Sequence, residues 1–294
     1  MKRLRLAALA ALVLAAFAPF AAAAELRRGN LAEPDTLDPA KWFTTYESWI
    51  IGDLFNGLLQ LDARGDEIPG AAESWTVSDD GLVLTFKLRA DGKWSDGAPV
   101  TAGDFVAGFR RSFDPKTASA YASFGYVIVN ARDVVEGRMP VDSLGVRAID
   151  PMTFEVRLTE PSQTLLPLFA RYPNFFPVPS HLLARVGDGW TAPGTMVSNG
   201  PYRLAEWVPQ DHVKLEKNEA YFDAANVKID TVYYYPTDDD ASAVKRFRAG
   251  ELDLNMRFPP GLYAMLKREL PDETRADPAS WIGYIVLNQT DPRF

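Results

Sequence analysis

Cysteine is missing from all 294 residues. Its absence removes disulfide frameworks, thiolate metal sites and thiol nucleophiles together. A chain of this length must then be held by an apolar core, and 47% hydrophobic and 12% aromatic residues supply one. The constraint matters more because the first residues predict export. Lys2, Arg3 and Arg5 precede an uncharged apolar run over residues 6–17, followed by Pro19 and the small residues Ala22, Ala23 and Ala24. This is the three-part layout of a secretory signal peptide, and the run falls short of the roughly 20 apolar residues of a spanning helix. We expect residues 1–24 to be a signal peptide cleaved near Ala24. A lipid anchor there would need a cysteine, so the exported protein is not expected to be a lipoprotein.

Lys2, Arg3 and Arg5 are the only charges in that leader, so the remaining 270 residues carry 39 acidic and 28 basic side chains, a net charge of −11. A well-mixed acidic surface argues against nucleic acid or an anionic membrane as partner. No second long apolar segment follows, and one large or two ordinary domains are expected at this length.

Strand and helix signals alternate without repeats, which predicts a mixed α/β fold. Residues 25–30 read as a first strand and Glu33 to Pro39 as a loop bracketed by prolines. Residues 45–59 read as a helix with Trp49, Ile50, Leu54 and Leu58 near one face, and Trp49 as core. Residues 75–89 form a hairpin turning at Asp79-Asp80-Gly81. Trp94-Ser95-Asp96-Gly97 is a tight turn. Thr101-Ala102-Gly103-Asp104 resembles a capping box, with Asp in place of Glu or Gln, and opens a helix ending near Asp114-Pro115. Strands are expected over 146–149 and 153–158, and a linker or crossing strand over 172–179. Further on come a hairpin over 201–217, a strand over 232–235, a helix over 239–249 stopped by Gly250, a short strand over 252–254 and a last strand over 281–288.

Catalytic signatures are missing: the sequence contains no G-x-S-x-G elbow, no phosphate-binding glycine loop and no H-E-x-x-H. The two histidines, His181 and His212, lie 31 positions apart and read as surface or capping residues rather than metal ligands. Asp238-Asp239-Asp240 reads as a helix N-cap in preference to a cation site. Asn288-Gln289-Thr290 matches a glycosylation sequon, a weak pattern. No cofactor is expected. Aromatic residues are the remaining resource. Trp42, Phe43 and Tyr46 follow the Leu-Asp-Pro loop, and Tyr121, Phe124 and Tyr126 sit among small residues, where flat side chains can cover a ligand.

Several long segments carry a resemblance. They include Leu37-Asp38-Pro39, Leu54-Phe55-Asn56-Gly57-Leu58, Pro69-Gly70-Ala71-Ala72-Glu73-Ser74-Trp75, and Leu88-Arg89-Ala90-Asp91-Gly92-Lys93-Trp94-Ser95-Asp96-Gly97. Pro99-Val100-Thr101-Ala102-Gly103-Asp104-Phe105, Ser198-Asn199-Gly200-Pro201-Tyr202 and Phe247-Arg248-Ala249-Gly250-Glu251-Leu252-Asp253 continue it in order. Over residues 25–294 the chain resembles the extracellular solute-binding proteins of ABC importers, family 5, the peptide/nickel class. Asp114-Pro115-Lys116-Thr117-Ala118-Ser119-Ala120-Tyr121-Ala122-Ser123 is similar to the oligopeptide-binding branch.

The resemblance implies an α/β fold of the type II periplasmic-binding-protein kind. Residues 25–57 and 172–290 would be the main lobe and 58–171 an inserted small α+β domain. Residues 291–294 would begin a second lobe that is missing here and that supplies the closing surface and an acidic partner for a peptide amino terminus. It also implies a periplasmic monomer without catalysis that captures oligopeptides by backbone pairing in permissive, hydrated pockets and docks on an inner-membrane ABC permease and ATPase. Carried over, Phe43, Thr44 and Thr45 should face the ligand, Tyr121 matches a ligand-facing tyrosine, and Trp281 and Tyr284 should line the cleft. Phe43 departs from relatives that carry an acid there, which shifts the expected preference from lysine toward apolar side chains. With one lobe the cleft would bury less ligand and bind weakly. Other solutes (a nickel chelate, haem, a murein peptide, an oligosaccharide) and a non-functional fragment stay open as alternatives. A secreted peptidase would need a constellation the sequence lacks.

Overall fold

The computed structural model describes residues 23–277 together with Leu287, Thr290 and Arg293. The expected leader, apart from Ala23 and Ala24, lies outside the described residues, as do Trp281, Tyr284 and most of the expected last strand. In chain order the elements are β1 (Glu25–Gly29), α1 (Thr45–Leu54), β2 (Leu59–Leu61), β3 (Glu67–Pro69), β4 (Ala72–Val77), β5 (Val83–Leu88), α2 (Ala102–Phe113) and α3 (Ala131–Val135). There follow β6 (Val146–Asp150), β7 (Thr153–Arg157), α4 (Leu165–Arg171), α5 (Ser180–Val186), β8 (Tyr202–Val208), β9 (His212–Lys217), β10 (Thr231–Tyr235), α6 (Asp240–Arg248) and α7 (Tyr263–Glu269). Among the described residues no helix is long and apolar enough to cross a membrane.

Period-two patterning produces two four-stranded sheets. One runs β1-β10-β9-β8 and draws on residues 25–29 and 202–235; the other runs β4-β5-β7-β6 and draws on residues 72–157. In the first, β1 pairs parallel with β10 (Arg28 opposite Tyr234), and the other pairings are antiparallel. Val213, Leu215, Val232 and Tyr234 are buried on one face, and α1, which buries Ile50, Ile51 and Leu54, is tied to that side by the Tyr234 hydroxyl at Asp53. In the second sheet Phe86 stands opposite Phe154, and α2 packs Phe105 and Phe109 on Phe154, with Phe113 buried at i+8 on the same stripe. Phe109 lies 5.2 Å from Phe154 and 5.5 Å from both Phe169 and Phe175, edge-on or tilted. Such pairs contribute about 0.5–1.5 kcal/mol each beyond their apolar burial. This phenylalanine core substitutes for the missing disulfides.

Two buried carboxylates fix the turns. Asp104, at the third position of α2, accepts from the Thr101 N–H (2.9 Å), the Trp94 indole N–H (3.2 Å) and the Ser180 hydroxyl (2.6 Å). The capping box expected from the sequence therefore also ties down the Trp94 turn and the start of α5. Asp38 pairs with Arg111 of α2 at 2.7 Å, and Arg111 reaches on to Asp188 at 2.6 Å.

Three local expectations are corrected. The first helix ends at Leu54 rather than 59: Phe55 turns extended, the Asn56 main chain pairs with the Asn199 side chain (3.0 and 2.9 Å), and Leu59 enters β2. Of the linker and crossing-strand readings for residues 172–179 only the second is corrected: they make a 3₁₀ turn, Pro173–Phe175, and a buried extended stretch with no ladder partner among the described residues. Their main chain lies so close to α2 that a Cβ at Gly108 would clash with the Phe176 carbonyl oxygen. Residues 252–254 form a single parallel bridge, Arg28 to Leu254, rather than a strand. Other expectations stand: Asp239 caps α6 by accepting the Ser242 N–H at 2.6 Å, and Gly250 follows that helix at φ +74°.

The chain divides into two compact units, Met1–Met256 and Arg257–Phe294. The first holds both four-stranded sheets and the two-stranded antiparallel pair β2-β3. In the second, α7 buries Leu266, and the Lys267 ammonium bonds the Pro271 carbonyl at 2.8 Å.

Candidate functional site

The loop after Leu37-Asp38-Pro39 is organised by Glu47, in the first turn of α1 and 1% exposed. Its Oε1 accepts the N–H groups of Asp35 and Thr36 (3.0 and 3.3 Å), and its Oε2 those of Phe43 and Thr44 (2.8 and 2.9 Å). Four backbone donors on one side chain set the path of residues 35–44. Thr44-Thr45-Tyr46-Glu47 is an S/T-x-x-E pattern, a signal that marks the Glu47–Thr44 bond in the sequence.

Phe43 is left 65% exposed at the tip of that loop. Its N–H is held by Glu47, and its carbonyl accepts from the Tyr121 hydroxyl at 2.7 Å. The side chain, not the backbone, is therefore what Phe43 offers outward. Behind it the rings form a continuous wall. Tyr121 stacks on Trp42 at 4.4 Å and on Phe124 at 5.4 Å, and Tyr172 meets Trp42 at 5.8 Å and Phe124 at 4.9 Å. Burial, with Tyr172 and Glu47 nearby, raises the Tyr121 phenol above its usual value, so it stays a donor at neutral pH.

Trp42 and Tyr172 also line an open cleft of about 790 Å³. Its other walls include Thr45, Ser48, Trp49 and Gly52 of α1, Gln60 of β2, and Arg171 at the end of α4. Thr45, Ser48, Trp49 and Gly52 follow the i, i+3, i+4, i+7 spacing of one helix face. The sequence reading of this helix singled out Trp49, Ile50, Leu54 and Leu58 instead and passed over Ser48 and Gly52. Trp49 is accordingly only partly buried and serves the cleft as well as the core. Its ring also carries the Arg28 guanidinium at 4.7 Å, which lies 5.1 Å from the Tyr234 ring. Tyr234 donates to Asp53 Oδ2 at 2.5 Å. Burial raises the Asp53 carboxyl above its usual value, opposed by the Tyr234 hydrogen bond and the Arg28 charge. Burial and neighbouring Asp53 push Tyr202 up to about 12.

Of the six residues expected from the sequence, Phe43, Thr44, Thr45 and Tyr121 come together here, while Trp281 and Tyr284 lie outside the described residues. Tyr172 and Arg171 join them only through tertiary contact, and Ser48 through its place one turn after Thr45 on α1. His181 sits beside Asp96 (2.8 Å) and His212 beside Asp211 (2.8 Å), away from the cleft lining. Among the described residues no group of three His, Cys, Asp or Glu side chains could hold a metal ion.

Comparison with known proteins defines the class. The family described as bacterial extracellular solute-binding proteins, family 5 Middle, matches residues 67–294. The chain belongs to the family 5 bacterial extracellular solute-binding proteins. It is 43% identical over 273 residues to the periplasmic oligopeptide-binding protein OppA of Escherichia coli, covering 92% of this chain and 50% of that protein. Among solved structures, the OppA of Haemophilus influenzae in complex with the peptide RPPGFSPFR superposes with a TM-score of 0.82 at 35% identity, over 86% of this chain and 50% of that one. The Escherichia coli murein tripeptide-binding protein MppA gives a TM-score of 0.82 at 37% identity, over 86% of this chain and 49% of that one. The α/β fold is thus that of periplasmic peptide-binding proteins, and these relatives are binding proteins. The chain spans about half the length of the curated relatives it matches.

Proposed function

We propose that this chain is the ligand-capturing part of a periplasmic oligopeptide-binding protein that delivers peptides to an inner-membrane ABC permease and ATPase as a monomer, after export on the leader of residues 1–24. The carrying observation is Phe43, 65% exposed on a loop clamped by Glu47 and Tyr121 and backed by an aromatic wall. A fixed aromatic tip beside an open cleft suits apolar side chains of a short peptide. Polar main-chain groups of the peptide would be met by neighbouring backbone and by water. No catalytic role is proposed. The main lobe is assigned to residues 25–57 with 172–290 and the inserted domain to 58–171. In support, each four-stranded sheet draws its strands from only one of these sets. Phe43, Thr44, Thr45, Tyr121, Trp281 and Tyr284 are proposed as ligand contacts.

Tryptophan fluorescence of the mature chain, titrated with peptides of three to five residues, tests this reading, since Trp42 and Trp49 line the cleft. A saturable change that Phe43→Ala weakens is expected. A spectrum insensitive to every peptide would overturn it. The murein-peptide alternative keeps the support of the MppA likeness, and a murein tripeptide in the same titration, binding more tightly than any ordinary peptide, would favour it.

A further inference from the structure

We propose that Arg171 selects for a carboxylate on the ligand in the cleft, an inference that rests on reading the cleft as the capture site. Among the described residues fifteen line the cleft, and of these Arg171 alone carries a formal charge. It is exposed at the end of α4, and among the described residues it makes no hydrogen bond or ion pair. The two acids of the adjoining β2–β3 turn, Asp62 and Asp66, are already engaged. Gly65, whose Cβ position lies 3.8 Å from Arg171 Nη2, sits in the turn between β2 and β3. In that turn Asp62 accepts the N–H groups of Arg64 and Asp66 (2.8 and 3.0 Å), and Arg64 pairs with both Asp62 (3.1 Å) and Asp66 (3.3 Å).

An arginine carries five N–H donors in a planar fork that matches a carboxylate in two parallel bonds. Here that fork stands unused on a wall without acids, in a chain whose net charge is −8. Tyr172 is its chain neighbour, and Trp42 and Trp49 supply aromatic surface in the same cleft. The chemistry that fits is a carboxylate close to an apolar or aromatic group. In a short peptide it has two sources, the carboxyl terminus and an acidic side chain. A cationic ligand side chain would meet no opposite charge on this wall.

The test compares three tripeptides against the full chain by fluorescence titration: Ala-Phe-Ala with a free carboxyl terminus, the same peptide amidated, and amidated Ala-Phe-Glu. Either carboxylate-bearing peptide is expected to bind about tenfold more tightly than the neutral amide, the ratio that about 1.4 kcal/mol sustains. The tighter of the two identifies the source. Arg171→Gln should bring that ratio to about one and Arg171→Lys should retain part of it, because the fork geometry is lost but the charge is kept. An unchanged melting transition checks that the variants fold. A wild-type ratio of one, or a ratio that survives Arg171→Gln, overturns the proposal. If no peptide binds, the peptide reading fails, and the carboxylate inference is decided by phenylacetate against phenylacetamide. An Arg171-dependent preference there supports it, and no such preference overturns it.

Discussion

The Tyr121 hydroxyl donates to the main-chain carbonyl of Phe43 across 2.7 Å, joining residues 78 positions apart in the chain. This bond and the Glu47 bond to the Phe43 N–H hold the loop tip from opposite sides. Tyr121→Phe keeps the stack on Trp42 and removes only the donor. We expect a loss of about 1 kcal/mol in urea unfolding, the net worth of a neutral hydrogen bond, with peptide affinity lowered several-fold because the tip is no longer clamped. An affinity equal to wild type would mean that the clamp does not shape the site.

Glu47→Gln is nearly isosteric, yet it replaces one acceptor oxygen by an NH₂ group facing N–H donors. Two of the four backbone donors lose their partner while buried. The expected cost is about 3 kcal/mol, since hydrogen bonds to charged acceptors and orphaned buried donors are each worth more than an average bond. Chemical denaturation measures it, and hydrogen exchange should show faster exchange at Phe43 and Thr44 than in wild type.

Gly52 lies inside α1, and a Cβ there would meet nothing within 4 Å. A helix-interior glycine costs roughly 1 kcal/mol relative to alanine. Gly52→Ala should therefore raise stability by about that amount. It should also place a methyl group in the cleft that Gly52 lines. A rise in the unfolding midpoint together with weaker peptide binding is the expected pair of results. A stability gain with unchanged binding would show that the ligand does not reach this part of α1.

The burial that raises the Asp53 carboxyl gives a pH prediction with a definite sign. The folded state holds this proton more tightly than the unfolded chain does. Its contribution is therefore most favourable below the unfolded value of about 3.9 and is lost as pH rises from there through the raised folded value. Asp53→Asn cannot titrate. The stability of the variant minus that of wild type should grow more positive as pH rises above about 4. A constant offset from the altered contacts with Tyr234 and Arg28 does not affect that slope. Carboxyls such as Asp188, lowered by Arg111 and Lys41, act in the opposite sense but cancel in the difference. Urea midpoints at fixed ionic strength across this range decide it, and a flat or falling difference contradicts the assignment.

Much of the architecture was readable without coordinates. The hairpins around Asp79-Asp80-Gly81 and across 201–217, the cap at Thr101 to Asp104 and the stop at Gly250 all follow from signals confined to a few neighbouring residues. Where the reading failed, a distant partner decided. Residues 55–58 carry apolar residues fit to extend α1, but the Asn199 side chain pairs with the Asn56 main chain from 143 positions away.

The same division holds for the site. The sequence alone determined that a cysteine-free chain must be held by its core, where the strands and caps lie, which family the motifs resemble, and that Phe43, Thr44, Thr45 and Tyr121 were candidates. Only the tertiary structure decided that Glu47 turns the loop, that Tyr121 clamps Phe43, that Tyr172 completes the aromatic wall and that Arg171 stands alone in the cleft. The physical reason is range. Periodicity and capping act over a few residues, whereas which rings stack and which charge is left unpaired depends on how separate elements pack.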